Sequence, residues 1–203
     1  MVGRMDGIRV LAIGGTSHVG KSTVGRAIAE RLGFVHMSTD GLARHPGRPW
    51  RTLERDVPRH VAAHYRLLSV PELVESVLAH YALLWPRIAR LITTYADADI
   101  GAGLVLEGSA VWPGRVAELA APRTAAVWLT ADDAVLRERM YASSGYAAAT
   151  EAERRLIDAF LARAQRFQAV MVDEVDRLGL VRIDAGRDVA GLVRTISGGK
   201  GRG

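Results

Sequence analysis

Apolar residues fall into short blocks divided by polar, glycine-containing loops, and the blocks alternate between two spacings. Residues 8–13 (IRVLAI) form a mostly apolar run ending at glycine, the pattern of a short buried strand. From Lys21 to Leu32 the apolar positions Val24, Ala27, Ile28 and Leu32 follow helical spacing, and Gly33 supplies a stop. Residues 34–37 predict a second strand, and the Gly- and Pro-containing stretch 38–50 predicts a loop. A helix is expected over 57–68. Another opens at Pro71, a residue suited to a first helical turn, and continues through Leu73, Val77, Leu84, Ile88, Ile92 and Tyr95. Pro86 should kink or split it. Further strands are expected at 104–106, 125–129 and 180–183, and further helices at 132–141, 151–178 and 189–196. The segment 142–150 (ASSGYAAAT) is small and polar, which predicts flexibility. Strands alternating with helices imply an α/β fold: a five-stranded parallel sheet covered on both faces. Residues 1–203 read as a single domain with an ordered core at 7–197 and loose ends outside it.

Composition narrows the function classes. A chain of 203 residues, 49% hydrophobic, can bury a sizeable core, so wholesale disorder is excluded. It has no cysteine, which excludes a disulfide framework, a thiolate metal site and a thiol nucleophile. No signal-like segment opens the chain and no apolar run approaches membrane-span length, so a cytoplasmic location without membrane association is expected. The net charge of +5 comes almost wholly from arginine, since lysine stands only at 21 and 200. The arginines are scattered, without a dense basic run or interleaved aromatics, so a nucleic-acid partner is not favoured and an anionic small ligand accounts for the balance.

The chemistry begins at residues 14–23, GGTSHVGKST. Gly15, four residues, then Gly20-Lys21-Ser22 fits G-x-x-x-x-G-K-[ST], with a strand before it and a helix after it. Glycines let backbone N–H groups curl around phosphate oxygens, and the following helix points its positive end at the same anion. Gly15, Thr16, Ser17, His18, Val19, Gly20, Lys21, Ser22 and Thr23 are therefore expected to hold a nucleoside triphosphate, ATP, with Lys21 on the β- and γ-phosphates and the Ser22 hydroxyl on Mg²⁺. A GTPase would usually show Asn-Lys-x-Asp, and this chain contains no asparagine. A translocating ATPase would normally be larger and carry an Asp-Glu pair after a hydrophobic strand, which neither the third nor the fourth strand supplies. A small phosphotransferase remains.

The sequence resembles the P-loop small-molecule kinases of the nucleoside monophosphate kinase-like group, which includes shikimate and gluconate kinases, chloramphenicol phosphotransferase and 2-phosphoglycerate kinase. The likeness rests on GGTSHVGKST, on MSTD after the second strand, on LVLEG ending the third, and on DDAVLRERM followed by FLARAQRF, spanning about residues 8–184. It implies the P-loop NTPase three-layer fold with strand order 2-3-1-4-5, acceptor-binding helices over 57–97 and a lid over 142–155. It further implies ATP-dependent phosphorylation of a hydroxyl on a small acceptor, with nucleoside or nucleotide kinase activity as an alternative. A P-loop regulatory or nucleic-acid-associated protein is the alternative outside catalysis. The assembly would be a monomer or homodimer.

In several kinases of that group an Asp at the place of Asp40 contacts the acceptor hydroxyl, so Asp40 is a candidate base. Arg44 and Arg48, close by in GLARHPGRPW, suit an acceptor bearing a carboxylate or phosphate, because guanidinium binds such groups through two parallel bonds. Glu107 ends the third strand and could serve Mg²⁺, orient the acceptor, or act as base in place of Asp40. Gly108 beside it would let a ligand approach. Arg139 matches the group's L-x-x-R position and Arg163 lies on the helix that returns from the lid; both would close over the transferring phosphoryl group and exclude water. The lid segment contains no arginine, and Arg154 and Arg155 stand just past it.

Overall fold

The structure, a computed structural model, describes residues 7–42, 47–52, 56–186 and 189–196. Five parallel strands form one sheet: β1 (Val10–Gly15), β2 (Val35–Ser38), β3 (Leu104–Glu107), β4 (Thr124–Thr130) and β5 (Arg182–Asp184). Their order is β2-β3-β1-β4-β5, the one the resemblance implied. The helices are α1 (Lys21–Leu32), α2 (Arg59–Leu67), α3 (Val70–Asp97), α4 (Pro113–Leu119), α5 (Asp133–Ser144), α6 (Glu151–Arg177) and α7 (Val189–Ile196).

Alternation along the three central strands divides the core. Leu11, Ile13, Val105, Val127 and Leu129 pack with Val24 and Ile28 of α1. Val10, Leu104 and Leu106 pack with Leu84, Ile88 and Ile92 of α3, and Trp128 packs with Phe167 and Met171 of α6. Because the side-chain period of a strand is two, each strand covers one helical layer with odd positions and the other with even ones. Trp128 is fully buried and its indole N–H donates to the Val111 carbonyl at 2.9 Å. That ring lies where a Cβ on Gly14 would stand, so a glycine in β1 is a packing requirement as well as a loop signal.

The structure differs from the expectation at Pro86 and adds detail at two other places. Pro86 does not split its helix: α3 runs unbroken from Val70 to Asp97. Pro86 and Ala82 both lie on the exposed side, so the Ala82 carbonyl that loses its helical donor faces water. The short helix α4 was not expected, and Pro113 at its first turn was the available signal. The segment 142–150 holds a defined turn between α5 and α6. Gly145 closes α5 in the left-handed region, a 3-10 turn covers Tyr146–Ala148, and Thr150 with Glu153 forms a capping box for α6. Tyr141 and Tyr146 stack with centroids 3.7 Å apart and donate to the two oxygens of Asp158 at 2.7 and 3.0 Å.

Candidate active site

The parallel register fixes the site. Ile13 pairs with Glu107 and Ser38 pairs with Glu107, so β2 and β3 end level and β1 runs two residues further, to Gly15. The loop after β1, the turn after β2 and the segment after β3 therefore converge at the carboxyl edge of the sheet, where such folds bind ligands. A cavity of about 1110 Å³ opens there, lined by the loop residues 17–24, by Asp40, Arg48, Glu107 and Ser109, and by His80, Tyr81, Phe160 and Arg163 from the helices.

The loop 15–20 has the backbone of a phosphate cradle. Gly15 and Gly20 take φ of 142° and 107°, which admit few side chains. His18 also has positive φ, 64°, an uncommon conformation for a residue with a Cβ. Two clamps hold the cradle. The Thr16 hydroxyl donates to the Ala164 carbonyl of α6 at 2.8 Å, so the Thr16 side chain is turned into the core. Arg139 donates to the His18 and Val19 carbonyls and, through its other terminal nitrogen, to those of Ala185 and Gly186.

Lys21 is buried, and its ammonium donates to the Thr16 carbonyl at 2.7 Å and to Ser109 Oγ at 3.3 Å. Burial pulls its pKa down, while the carboxylates of Glu107 and Asp40 oppose that shift. A buried ammonium with no ion-paired carboxylate among the described residues is a site prepared for an anion. Ser22 donates to Glu107 Oε1 at 3.0 Å, and Glu107 is 1% exposed. These two oxygen donors, held together at the helix start, fit a hard divalent cation.

Asp40 stands in a 3-10 turn, Thr39–Gly41, that follows β2 directly, and its backbone N–H donates to Ser38 Oγ. Thr39 is buried and touches the place a Cβ on Gly108 would occupy. The glycine after Glu107 is thus needed for close approach of the Asp40 turn, where the sequence reading had assigned it to ligand approach. Arg48 reaches the cavity with its guanidinium 5.9 Å from the Trp50 ring. Arg44 lies outside the described residues.

Arg163 is 5% exposed and lies over the Phe160 ring at 4.3 Å and the Tyr65 ring at 6.0 Å. One of its nitrogens donates to Ser17 Oγ at 3.4 Å, its buried Nε has no hydrogen-bond partner, and among the described residues no carboxylate pairs with it. Arg139 has a bracing role that the sequence did not suggest. Its guanidinium lines the cavity and is bound to four carbonyls between the phosphate loop and the segment after β5, so it also braces the cradle. Arg154 donates to the carbonyls of Tyr146 and Ala147, and Arg155 pairs with Glu151; both belong to the turn and not to the cavity.

Sequence reasoning missed the aromatic wall. Trp50 is buried, with its ring 5.7 Å from His18 and 5.1 Å from Phe160. The His18 pKa falls to about 4, through burial first and then the positive charges of Arg48, Lys21 and Arg163, so the imidazole is neutral at pH 7. Ser109 was also missed, although its position two residues after Glu107 placed it at the same sheet edge.

No protein-family model and no curated protein matches the chain. Solved structures do. A gluconokinase from Sinorhizobium meliloti superposes with a TM-score of 0.56 at 22% identity, covering 97% of this chain and 93% of that one. A sugar kinase from a Janibacter species gives 0.54 at 17% identity, covering 93% and 91%. A third protein, from Eubacterium ventriosum, gives 0.51 at 13% identity, covering 92% and 94%. The chain shares the fold of these proteins over nearly its whole length.

Proposed function

We propose that the protein is an ATP-dependent phosphotransferase that phosphorylates a hydroxyl of a small, anionic acceptor. The observation that carries this reading is one cavity holding both halves of such a reaction. Lys21 and the phosphate cradle lie at one end, and Asp40, Arg48 and Arg163 line the rest. The gluconokinase and sugar-kinase neighbours support the reaction class, and fold alone does not choose the acceptor.

In this reading the loop backbone and Lys21 bind the β- and γ-phosphates of ATP. Ser22 and Glu107 would hold Mg²⁺, which when bound neutralises phosphate charge. Asp40 accepts a hydrogen bond from the acceptor hydroxyl and takes its proton as the oxygen bonds to the γ-phosphorus. The bond from that phosphorus to the β–γ bridging oxygen breaks, and ADP leaves. Arg163, buried and with no carboxylate partner among the described residues, stabilises negative charge in the cavity, either on the transferring group or on the acceptor's own anion. Arg48 at the mouth adds positive charge that attracts such an acceptor.

The test is transfer of the γ-phosphoryl group from radiolabelled ATP to a panel of sugar acids, other hydroxy acids, nucleosides and nucleotides. The reading requires a labelled product from at least one hydroxyl acceptor and its loss in Asp40→Asn. Label appearing only on nucleotides, as diphosphates, moves the assignment to a nucleotide kinase. ATP binding with no transfer to any member of so broad a panel counts against catalysis.

A further inference from the structure

Arg163 is buried at the cavity, yet hydrogen bonds account for little of its placement. A guanidinium carries five N–H donors. Among the described residues one acceptor is defined, Ser17 Oγ at the long distance of 3.4 Å, and the buried Nε–H has no partner. Rings hold the group instead. The guanidinium lies 4.3 Å over the Phe160 ring and 6.0 Å from the Tyr65 ring. Whatever sets Phe160 therefore sets Arg163.

Trp50 packs directly against Phe160. The two rings meet edge to face, with centroids 5.1 Å apart and planes at 81°. Trp50 is 3% exposed, and its neighbour fixes the direction of approach. Arg51 donates through Nε to Glu153 Oε1 at 3.1 Å, and the other oxygen of Glu153 accepts from Thr150 in the capping box that opens α6. That ion pair is exposed and contributes little energy, so the buried ring is the anchor and Arg51 its guide. Glu153 and Phe160 stand seven residues apart, about two turns, on one face of α6. The Trp50 ring also lies 5.7 Å from His18 of the phosphate loop. The loop has braces of its own, however: the Thr16 bond to the Ala164 carbonyl and the Arg139 bonds to the carbonyls of residues 18 and 19.

We infer that Trp50 is a positioning residue: by packing edge-on against Phe160 it fixes the Arg163 guanidinium at the cavity, while the phosphate cradle is held independently of it. The purpose of this arrangement rests on the phosphotransferase reading, but its geometry does not. Truncating Trp50 leaves a void on one side of Phe160, and the ring gains room to turn. Arg163, tethered by a single long hydrogen bond, follows the ring. A cation shifted from its place no longer meets the anion it serves in the required geometry, and turnover falls even though the residue itself is intact. Nucleotide binding is spared, because the cradle keeps both of its braces.

The test reads the Arg163 Nε–H signal in ¹H–¹⁵N spectra of the full-length protein. A group held over a ring face is shifted upfield by the ring current, and burial slows its proton exchange. Arg163→Lys identifies the signal by its loss. Trp50→Leu should move the signal toward those of exposed arginines and speed its exchange, and Trp50→Phe, which keeps a smaller ring edge, should fall between. Asp158→Ala is the control: it lies on the same helix outside the cavity lining, so it should lower the melting temperature and leave the Arg163 signal in place. Affinity for the magnesium complex of the non-hydrolysable ATP analogue AMPPNP, measured by calorimetry, should stay within about threefold of wild type in Trp50→Leu. An Arg163 signal unchanged in both Trp50 variants, or in Trp50→Phe alone should the leucine variant not fold, overturns the inference, because a tryptophan that only fills the core would lower stability without moving it. So does a wild-type spectrum with no upfield Nε–H signal that Arg163→Lys removes, and so does a larger loss of AMPPNP affinity. For an acceptor that the radiolabelled-ATP panel identifies, Trp50→Leu should raise the acceptor KM about tenfold and leave the KM for ATP near wild type. If no acceptor is labelled, the phosphotransferase reading fails while the spectra still decide the role of Trp50.

Discussion

Replacing Asp158 by alanine should both destabilise the protein and loosen the turn beside the cavity. One carboxylate there accepts from two phenols, Tyr141 at 2.7 Å and Tyr146 at 3.0 Å. The same phenols stack at 3.7 Å, and Arg154 lies 5.4 Å from the Tyr146 ring while it donates to the carbonyls of residues 146 and 147. Hydrogen bonds to a charged group contribute ~1.5–3 kcal/mol each when shielded from water. The cluster is half-buried, so a solvent-screened value near 1 kcal/mol per bond is appropriate, or about 2 kcal/mol for the pair. For a chain of 203 residues this corresponds to a fall in melting temperature of roughly 4–8 °C, readable by calorimetry or circular dichroism. The Tyr141 pKa is raised, with burial and the bond to Asp158 as its main causes. The unfolded chain therefore loses that phenolic proton first. This part of the stability is present below pH 10 and declines as pH rises further, and in Asp158→Ala the alkaline decline should be shallower. Proteolysis between residues 142 and 150 should accelerate in the variant. A melting temperature within 1 °C of wild type (about 0.3 kcal/mol), with unchanged cleavage, would refute the assignment of the cluster as the lock on this turn.

Other consequences are equally direct. Gly108→Ala puts a methyl group onto Thr39, so it should cost about 1–3 kcal/mol and displace the Asp40 turn; turnover should fall while AMPPNP affinity, measured by calorimetry, stays near wild type. His18→Gly should relieve the positive-φ conformation and remove an acid-side weakness. Between pH 6.5 and about 4 the unfolded imidazole takes a proton that the folded one refuses, so wild-type stability falls across that window, by about 1–2 kcal/mol after allowing for partial exposure, and denaturant titrations of the variant should show a flatter profile. Arg139→Lys keeps the charge but not the two-sided fork, and should weaken AMPPNP binding by about tenfold through the loosened cradle.

The sheet and the phosphate loop were legible because each rests on a local signal. Apolar runs ending at glycine mark the strands, and Gly15, Gly20, Lys21 and Ser22 carry their chemistry at fixed spacing. The strand order came from resemblance, since spacing within one strand says nothing about its neighbours. The contacts of the turn at 142–150 were not legible because they depend on Asp158, several residues further on and facing back from α6. The carbonyl contacts of Arg139 were not legible for a similar reason: backbone carbonyls carry no side-chain signature. Ser109 and Tyr81 join the cavity only through tertiary packing, and Trp50 packs behind its His18 and Phe160, so no pattern along the chain distinguishes them from core residues. Gly14 and Gly108 have reasons that only the structure supplies, a tryptophan and a threonine lying where their Cβ atoms would be.

The central claim is that one cavity couples a nucleotide end to an acceptor end through Asp40. The most direct measurement is ADP release from magnesium–ATP, with and without each member of the acceptor panel, in wild type and Asp40→Asn, alongside AMPPNP binding by both proteins. The account predicts that at least one hydroxyl acceptor raises ADP release well above background in wild type, that Asp40→Asn abolishes the rise, and that both proteins bind AMPPNP alike. Acceptor-stimulated release that survives in Asp40→Asn, or nucleotide binding that is lost with it, would contradict the account.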